Sequence, residues 1–232
     1  MTKNLDPVWT ALKSAGLNER GAFHPQGDDQ VPDCGFAKGV QTVVLVGNVG
    51  GAMWPAFDAG RRAEVDALDG WTERVLNEII AQLVTDYVDV APLYPFGGPP
   101  YHPFQRWAMR AEPVFPSPIG PLIHPDHGLW HAYRAALAFG DRLDIPERPE
   151  RANPCDTCRD KPCLSSCPVG AFTAGSYDVR GCANHLTTKE GDTCLAQGCL
   201  ARRSCPVGRE NAYDETQARF HLSILRDKHA TV

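Results

Sequence analysis

The sequence predicts an α+β protein in two parts, residues 1–146 and 147–232, on three observations. A valine-rich run at 41–46 and a helical apolar periodicity at 69–84 lie in the first part, eight of the nine cysteines lie in the second, and a charged stretch with two prolines at 144–151 suppresses helix and sheet between them. At 232 residues, with 43% hydrophobic and 22% charged residues, the chain is long enough for one large or two small cores.

In chain order, a helix is predicted over 7–15, ended by Gly16, and after a polar stretch a strand over 41–46. The following Gly47-Asn48-Val49-Gly50-Gly51 hints at a phosphate-binding turn, because glycines let backbone amides approach an anion. It lacks the full G-x-G-x-x-G spacing, and Pro55 follows closely. Trp71, Val75, Leu76, Ile79, Ile80 and Leu83 recur at helical spacing, which predicts an amphipathic helix over 69–84 packed on a sheet, with Asp69 or Thr72 near its start. Ten prolines between 91 and 125 exclude long regular elements except over 104–112. Tyr94, Phe96, Tyr101, Phe104, Trp107 and Phe115 are too many aromatics for a disordered linker, so this loop packs, either walling a pocket or covering the sheet.

His124, His127 and His131 flank Pro125-Asp126. Their spacing is no known ligand run, so polar loop and pocket contacts are expected rather than a metal. A net charge of -5 offers no broad footprint for nucleic acid, which is not expected as a partner; Arg202, Arg203 and Arg209 read as a solvated face with room for an anionic partner. The apolar runs are too short to span a bilayer, and the first residues carry no secretory signal, so a cytoplasmic protein without a membrane partner is expected.

The cysteines carry the chemistry. Cys155-x2-Cys158-x4-Cys163-x3-Cys167-Pro168 resembles the ligand run of a bacterial two-cluster ferredoxin, in which the fourth cysteine, followed by proline, ligates the other cluster. A second run, Cys182, Cys194, Cys199 and Cys205-Pro206, completes two sets of four. The crossing rule assigns one [4Fe-4S] cluster to Cys155, Cys158, Cys163 and Cys205 and another to Cys167, Cys182, Cys194 and Cys199. Cys-Pro-Val-Gly occurs twice, at 167–170 and 205–208, as one turn used twice. The loop lengths depart from the ferredoxin pattern, with four residues between Cys158 and Cys163 and a looser second run. A closed zinc site is the competing reading, although zinc knuckles usually come as two close pairs; disulfides need an oxidising compartment. Cys34 is left as a spare thiol.

The stretch 155–205 resembles the cluster domain of epoxyqueuosine reductases and reductive dehalogenases, down to Gly181-Cys182-Ala183-Asn184-His185-Leu186-Thr187, which looks like a short helix carrying a single ligand. Upstream, 88–92 and 118–123 are similar to short segments of those enzymes, and 103–110 with Gly128-Leu129-Trp130 is similar to the animal cobalamin-processing chaperone. The resemblance implies a nitroreductase-like N-terminal domain that binds cobalamin, followed by a small ferredoxin-like domain. It makes Tyr101, Trp107, Gly120, His124 and His127 candidate cofactor contacts, and Asp89 a candidate proton donor. Asp89 as the cap of a turn before Pro92 is the competing reading. The resemblance also implies an upstream reductase or flavodoxin-like electron donor, while the absence of a C-terminal repeat domain argues against queuosine precursors in tRNA as substrate. Two functions stay open: a corrinoid-linked or cobalamin-processing reductase, and a ferredoxin-type carrier whose N-terminal domain docks a partner.

Overall fold

The computed structural model describes residues 3–87, 89–173 and 175–231. It is a mixed helix and sheet protein that divides into two compact units, Met1–Pro113 with Ala132–Glu150, and Val114–His131 with Arg151–Val232. Residues 114–131, which the expected division placed in the first part, belong to the unit that carries the eight clustered cysteines. Residues 142–153 hold no helix or strand, in keeping with their prolines and charges. No described helix is long and apolar enough to cross a membrane.

The first unit is built on a four-stranded sheet of order β1-β2-β6-β3, from β1 (Asn18–Phe23), β2 (Thr42–Val49), β3 (Val90–Leu93) and β6 (His131–Phe139). The central strands β2 and β6 are buried over most of their length, which explains their valine- and alanine-rich sequences. β2 runs on to Val49, so the glycine-rich stretch is partly strand. A Cβ on Gly47 would stand 1.9 Å from Ala132 O, and the Asn48 side chain is buried, donating to Gly50 O. Gly47 therefore serves close backbone packing, and a phosphate turn there is not supported. Pro92 lies within β3, where the missing N–H is tolerated because β3 is an edge strand.

Helix α1 (Asp6–Ser14) accepts Pro7 in its first turn and buries Val8 and Leu12. After α2 (Trp54–Gly60), helix α3 (Ala67–Leu83) starts two residues before the expected Asp69, with Asp66 at the cap position, and it buries Leu68, Trp71, Leu76, Ile79 and Leu83. Thr72 is inside the helix, its hydroxyl donating to Leu68 O. In α4 (Phe104–Ala111), Phe104, Trp107, Ala108 and Ala111 fall at i, i+3, i+4 and i+7, and all four are buried. Arg20, 1% exposed, is neutralised by Glu112 at 2.7 Å, to which the Tyr133 hydroxyl also donates; burial pushes the Glu112 carboxyl up while Arg20 opposes the shift.

The second unit opens with a hairpin of β4 (Phe115–Pro116) and β5 (Leu122–Ile123) and continues through a bridge between His124 and Gly128. Its remaining elements are α5 (Pro154–Thr157), α6 (Pro162–Ser165), a hairpin of β7 (Phe172–Thr173) and β8 (Ser176–Tyr177), α7 (Val179–His185), α8 (Asp192–Gln197), α9 (Leu200–Arg203) and α10 (Glu215–His229). The last helix packs on α7 and α8. The core of this unit mixes Ile119, Ile123, Leu129, Phe172 and Ala201 with Cys163 and Cys205, so sulfur is part of the hydrophobic packing itself.

Candidate metal centres

Short helices begun by proline present the cysteines of the first run. The Asn153 side chain accepts from Cys155 N at 3.0 Å, capping α5, and Pro154 follows. Lys161, at φ 38°, turns the chain into α6, which carries Cys163. Cys155, Cys158 and Cys163 line a cavity of about 260 Å3 with Cys205, which returns from the far end of the second run; Ser117, Ile123, Leu129 and Val207 complete much of the wall. Lys161 Nζ donates to Cys155 O at 3.2 Å, placing a cation beside this set.

A second, tighter cavity of about 40 Å3 is lined by Cys167, Cys182 of α7, Cys194 of α8 and Cys199 at the N-cap of α9. Here backbone donors meet sulfur. Ala171 N donates to Cys167 Sγ at 3.3 Å, Leu200 N to Cys194, and the N–H groups of Ala201 and Arg202 to Cys199. The Tyr177 hydroxyl donates to Cys182, and burial together with that bond pushes its own phenol far above the usual range. Leu222 and Leu225 of α10 close the apolar side. Among the residues that sequence reasoning missed are Lys161, Tyr177 and these two leucines, none of which belongs to a ligand motif.

The donor chemistry fits a polynuclear iron cluster. Burial first, then neighbouring sulfurs, holds the Cys155 and Cys163 thiols above their ordinary range, and burial pushes Cys199 up to about 11. Desolvated sulfurs gathered in fours ionise when a cationic centre compensates them. His185 lines the second cavity with a buried Nε2 that has no partner, a donor suited to a cluster sulfide. Among the described residues no three His, Cys, Asp or Glu side chains converge on one point as a single ion requires. A cubane takes its thiolates at separate corners and does not need that convergence.

The second Cys-Pro-Val-Gly turn is pinned by two crossing glycines. A Cβ on Gly128 would lie 1.9 Å from Val207 O and one on Gly208 2.3 Å from the His127 carbonyl carbon, and both residues have positive φ. β6 begins at His131, three residues beyond Gly128. Arg202 braces the same region: its Nε and Nη2 donate to Leu129 O, and its guanidinium lies 4.5 Å from the Trp130 ring centre and 4.6 Å from that of Tyr213. Replacing Arg202 with lysine keeps the charge but loses the fork and the stacking, and is expected to lower stability by about 2 kcal/mol, read as a lower urea midpoint at unchanged slope.

The other candidate residues are dispersed. Trp107 is fully buried, its indole donating to Asp29 O at 2.8 Å and stacking on His102, so it serves the core of the first unit. Tyr101 is 67% exposed. Gly120 sits in the turn of the β4–β5 hairpin at φ 99°, and a methyl group added to it would meet nothing within 4 Å. His124 is buried; its Nδ1 accepts from Asp126 N and His127 N, and its ring stacks on that of His127 at 4.4 Å. Asp89 is half-buried just before β3, packed against Gly140, whose N–H donates to Asp89 O. Val88, the first residue of the 88–92 segment, lies outside the described residues. Cys34 lies in the first unit, apart from the eight.

No family model matches the chain, and no curated protein sequence does. Solved structures do match. An epoxyqueuosine reductase bound to an epoxyqueuosine-modified tRNA-Tyr stem loop superposes with TM-score 0.53 at 16% identity, covering 92% of this chain and 69% of that one. The epoxyqueuosine reductase of Bacillus subtilis, with its catalytic loop swung out of the active site, gives 0.53 at 16% identity over 89% of this chain and 65% of that one. The chain thus spans about two thirds of the length of these reductases. The B12-trafficking protein CblC of C. elegans, a homologue of human MMACHC, gives 0.53 at 16% identity over 95% of this chain and 93% of that one. Because a matching structure holds a tRNA stem loop, the likeness gives no support to the expectation that nucleic acid is excluded as a partner. The chain shares the fold common to epoxyqueuosine reductase and CblC.

Proposed function

We propose that the second unit binds two [4Fe-4S] clusters, one on Cys155, Cys158, Cys163 and Cys205 and one on Cys167, Cys182, Cys194 and Cys199, and passes single electrons to a corrinoid bound by the chain. The observation that carries this reading is the grouping of the eight cysteines around two cavities, four to each, with Cys167 and Cys205 exchanged between the runs. A fold shared with epoxyqueuosine reductases and a B12-trafficking protein supports the corrinoid. A bound cubane supplies one-electron chemistry. The chain's part is to hold it, to exclude water with Phe172, Leu222 and Leu225, and to stabilise the added negative charge through N–H groups aimed at sulfur. Asp89 would hold a proton for the reduced substrate; Asp89→Asn should abolish turnover with cluster and corrinoid spectra unchanged, and full turnover in that variant removes Asp89 from the mechanism.

The test is anaerobic reconstitution. Iron and acid-labile sulfide should each reach about eight per chain, and cobalamin added to that sample should change its corrinoid absorption, with dithionite then giving the reduced-cobalt spectrum. Protein that takes up zinc, or no iron, overturns the reading. Normal iron with no corrinoid response leaves an electron carrier with a docking unit.

A further inference from the structure

Arg203 and Arg209 line an open cavity of about 300 Å3 in the second unit, together with Trp130 and Ala212. Both guanidinium groups are held by backbone carbonyls alone: Arg203 Nη1 donates to Gln197 O at 3.0 Å, and Arg209 donates through Nε to Cys205 O at 3.1 Å and through Nη2 to Ser204 O at 3.3 Å. Among the described residues neither has a carboxylate partner, whereas Arg20, Arg74, Arg110 and Arg151 each do. Carbonyl bonds fix a guanidinium in place without neutralising it, so both charges and several N–H donors stay available. Trp130, only 3% exposed, contributes a second and independent sign: its Nε1–H is buried with no acceptor among the described residues, which costs free energy until something accepts from it.

We infer that this cavity is a binding site for a phosphate group. Three separate donor groups suit inorganic phosphate or a phosphate monoester, with three or more terminal oxygens, better than a carboxylate or a phosphodiester with two, and the planar fork of arginine matches phosphate geometry. The chain is negative overall, at -5, so affinity for an anion must be local to these residues. The site also bears on the metal centres. Arg209 is bonded to the Cys205 carbonyl, so a bound anion adds negative charge near the set that holds Cys205. A reduced cluster gains negative charge too. Phosphate binding and reduction therefore oppose each other, and by linkage each weakens the other equally. This coupling rests on the two-cluster reading, whereas the phosphate site does not.

The test titrates inorganic phosphate into iron-replete protein at constant ionic strength, followed by calorimetry and by melting temperature. Saturable binding is expected, weakened about tenfold or more in the double variant Arg203→Gln, Arg209→Gln, and less strongly in Trp130→Phe, which keeps the ring but not the N–H. Should the double variant lose iron, Arg203→Gln alone and Trp130→Phe decide, since the Arg203 side chain is bonded only to Gln197 O. No saturable binding by the wild type, or undiminished affinity in the variants, overturns the site. In a redox titration phosphate should move the wild-type midpoint to more negative potential and leave the double variant unmoved. A bound phosphate that leaves the wild-type potential unchanged overturns the coupling. Protein that binds phosphate but takes up no iron would end the two-cluster reading and leave the phosphate site standing.

Discussion

Cys205→Ser is expected to empty the cavity built mainly by the first cysteine run, taking iron from about eight to about four per chain while the cluster on the second run survives. The residue stands beyond Cys199 in sequence, yet it lines the cavity of Cys155, Cys158 and Cys163. Serine is nearly isosteric, but its hard oxygen is a poor substitute for a soft thiolate at iron. Pairing substitutions locates the loss. Cys158→Ser with Cys205→Ser should still hold about four irons, because on the proposed reading both residues serve one cluster. Cys182→Ser with Cys205→Ser should hold none. Cys167→Ser is the mirror experiment, expected to remove the cluster of Cys182, Cys194 and Cys199. If the Cys158, Cys205 pair instead strips all iron from a protein that Cys158→Ser leaves half-loaded, the exchange of ligands between runs is wrong.

Gly128→Ala should be strongly damaging although Gly128 is not one of the proposed ligands. The new methyl would need to occupy a point 1.9 Å from Val207 O, and the backbone there sits at φ 57°, a region that costs an L residue about 1–2 kcal/mol. With about 1–3 kcal/mol more for overpacking, the loss is roughly 3 kcal/mol, a large share of the about 5–15 kcal/mol that holds a domain folded. The displaced partner is the turn at 205–208, so reconstitution with iron should suffer as well as the thermal midpoint. Gly120→Ala is the control: its φ is 99° but nothing lies within 4 Å, so about 1 kcal/mol from backbone strain alone is expected, with iron content intact. Equal losses in the two variants would mean that the crossing at 127–128 and 207–208 is unimportant.

Much of the first unit was legible in the sequence. The helices expected at 7–15 and 69–84 appear at 6–14 and 67–83, the strand expected at 41–46 appears at 42–49, and the stretch 104–112, left open to a regular element, is helix over 104–111, because each carries an apolar pattern that its structure can bury. Between 91 and 125 the prolines leave only short strands besides the helix at 104–111. Pro92 and Pro116 sit in strands, Pro92 on the sheet edge and Pro116 in a two-stranded hairpin, where a missing N–H costs little. The five candidate cofactor contacts rested on the resemblance, which could not distinguish Trp107, spent on the core, from Tyr101, left in solvent.

The sequence by itself determined that eight thiols stand ready in two runs, because cysteine spacing and the Cys-Pro steps are local properties of the chain. It also placed α1 and α3, which contribute Val8, Leu12, Leu68, Trp71, Leu76, Ile79 and Leu83 to the first unit's core, since amphipathic periodicity is local as well. Only the tertiary structure decided that residues 114–131 join the cysteine-bearing unit and that α10 seals the second cavity. It also separated two turns that read alike. Gly170 and Gly208 end the same tetrapeptide with positive φ, but the first faces open space and the second is crossed by His127. Such contacts join residues some 80 positions apart, and the chain entropy lost in bringing them together is recovered only when the whole unit packs.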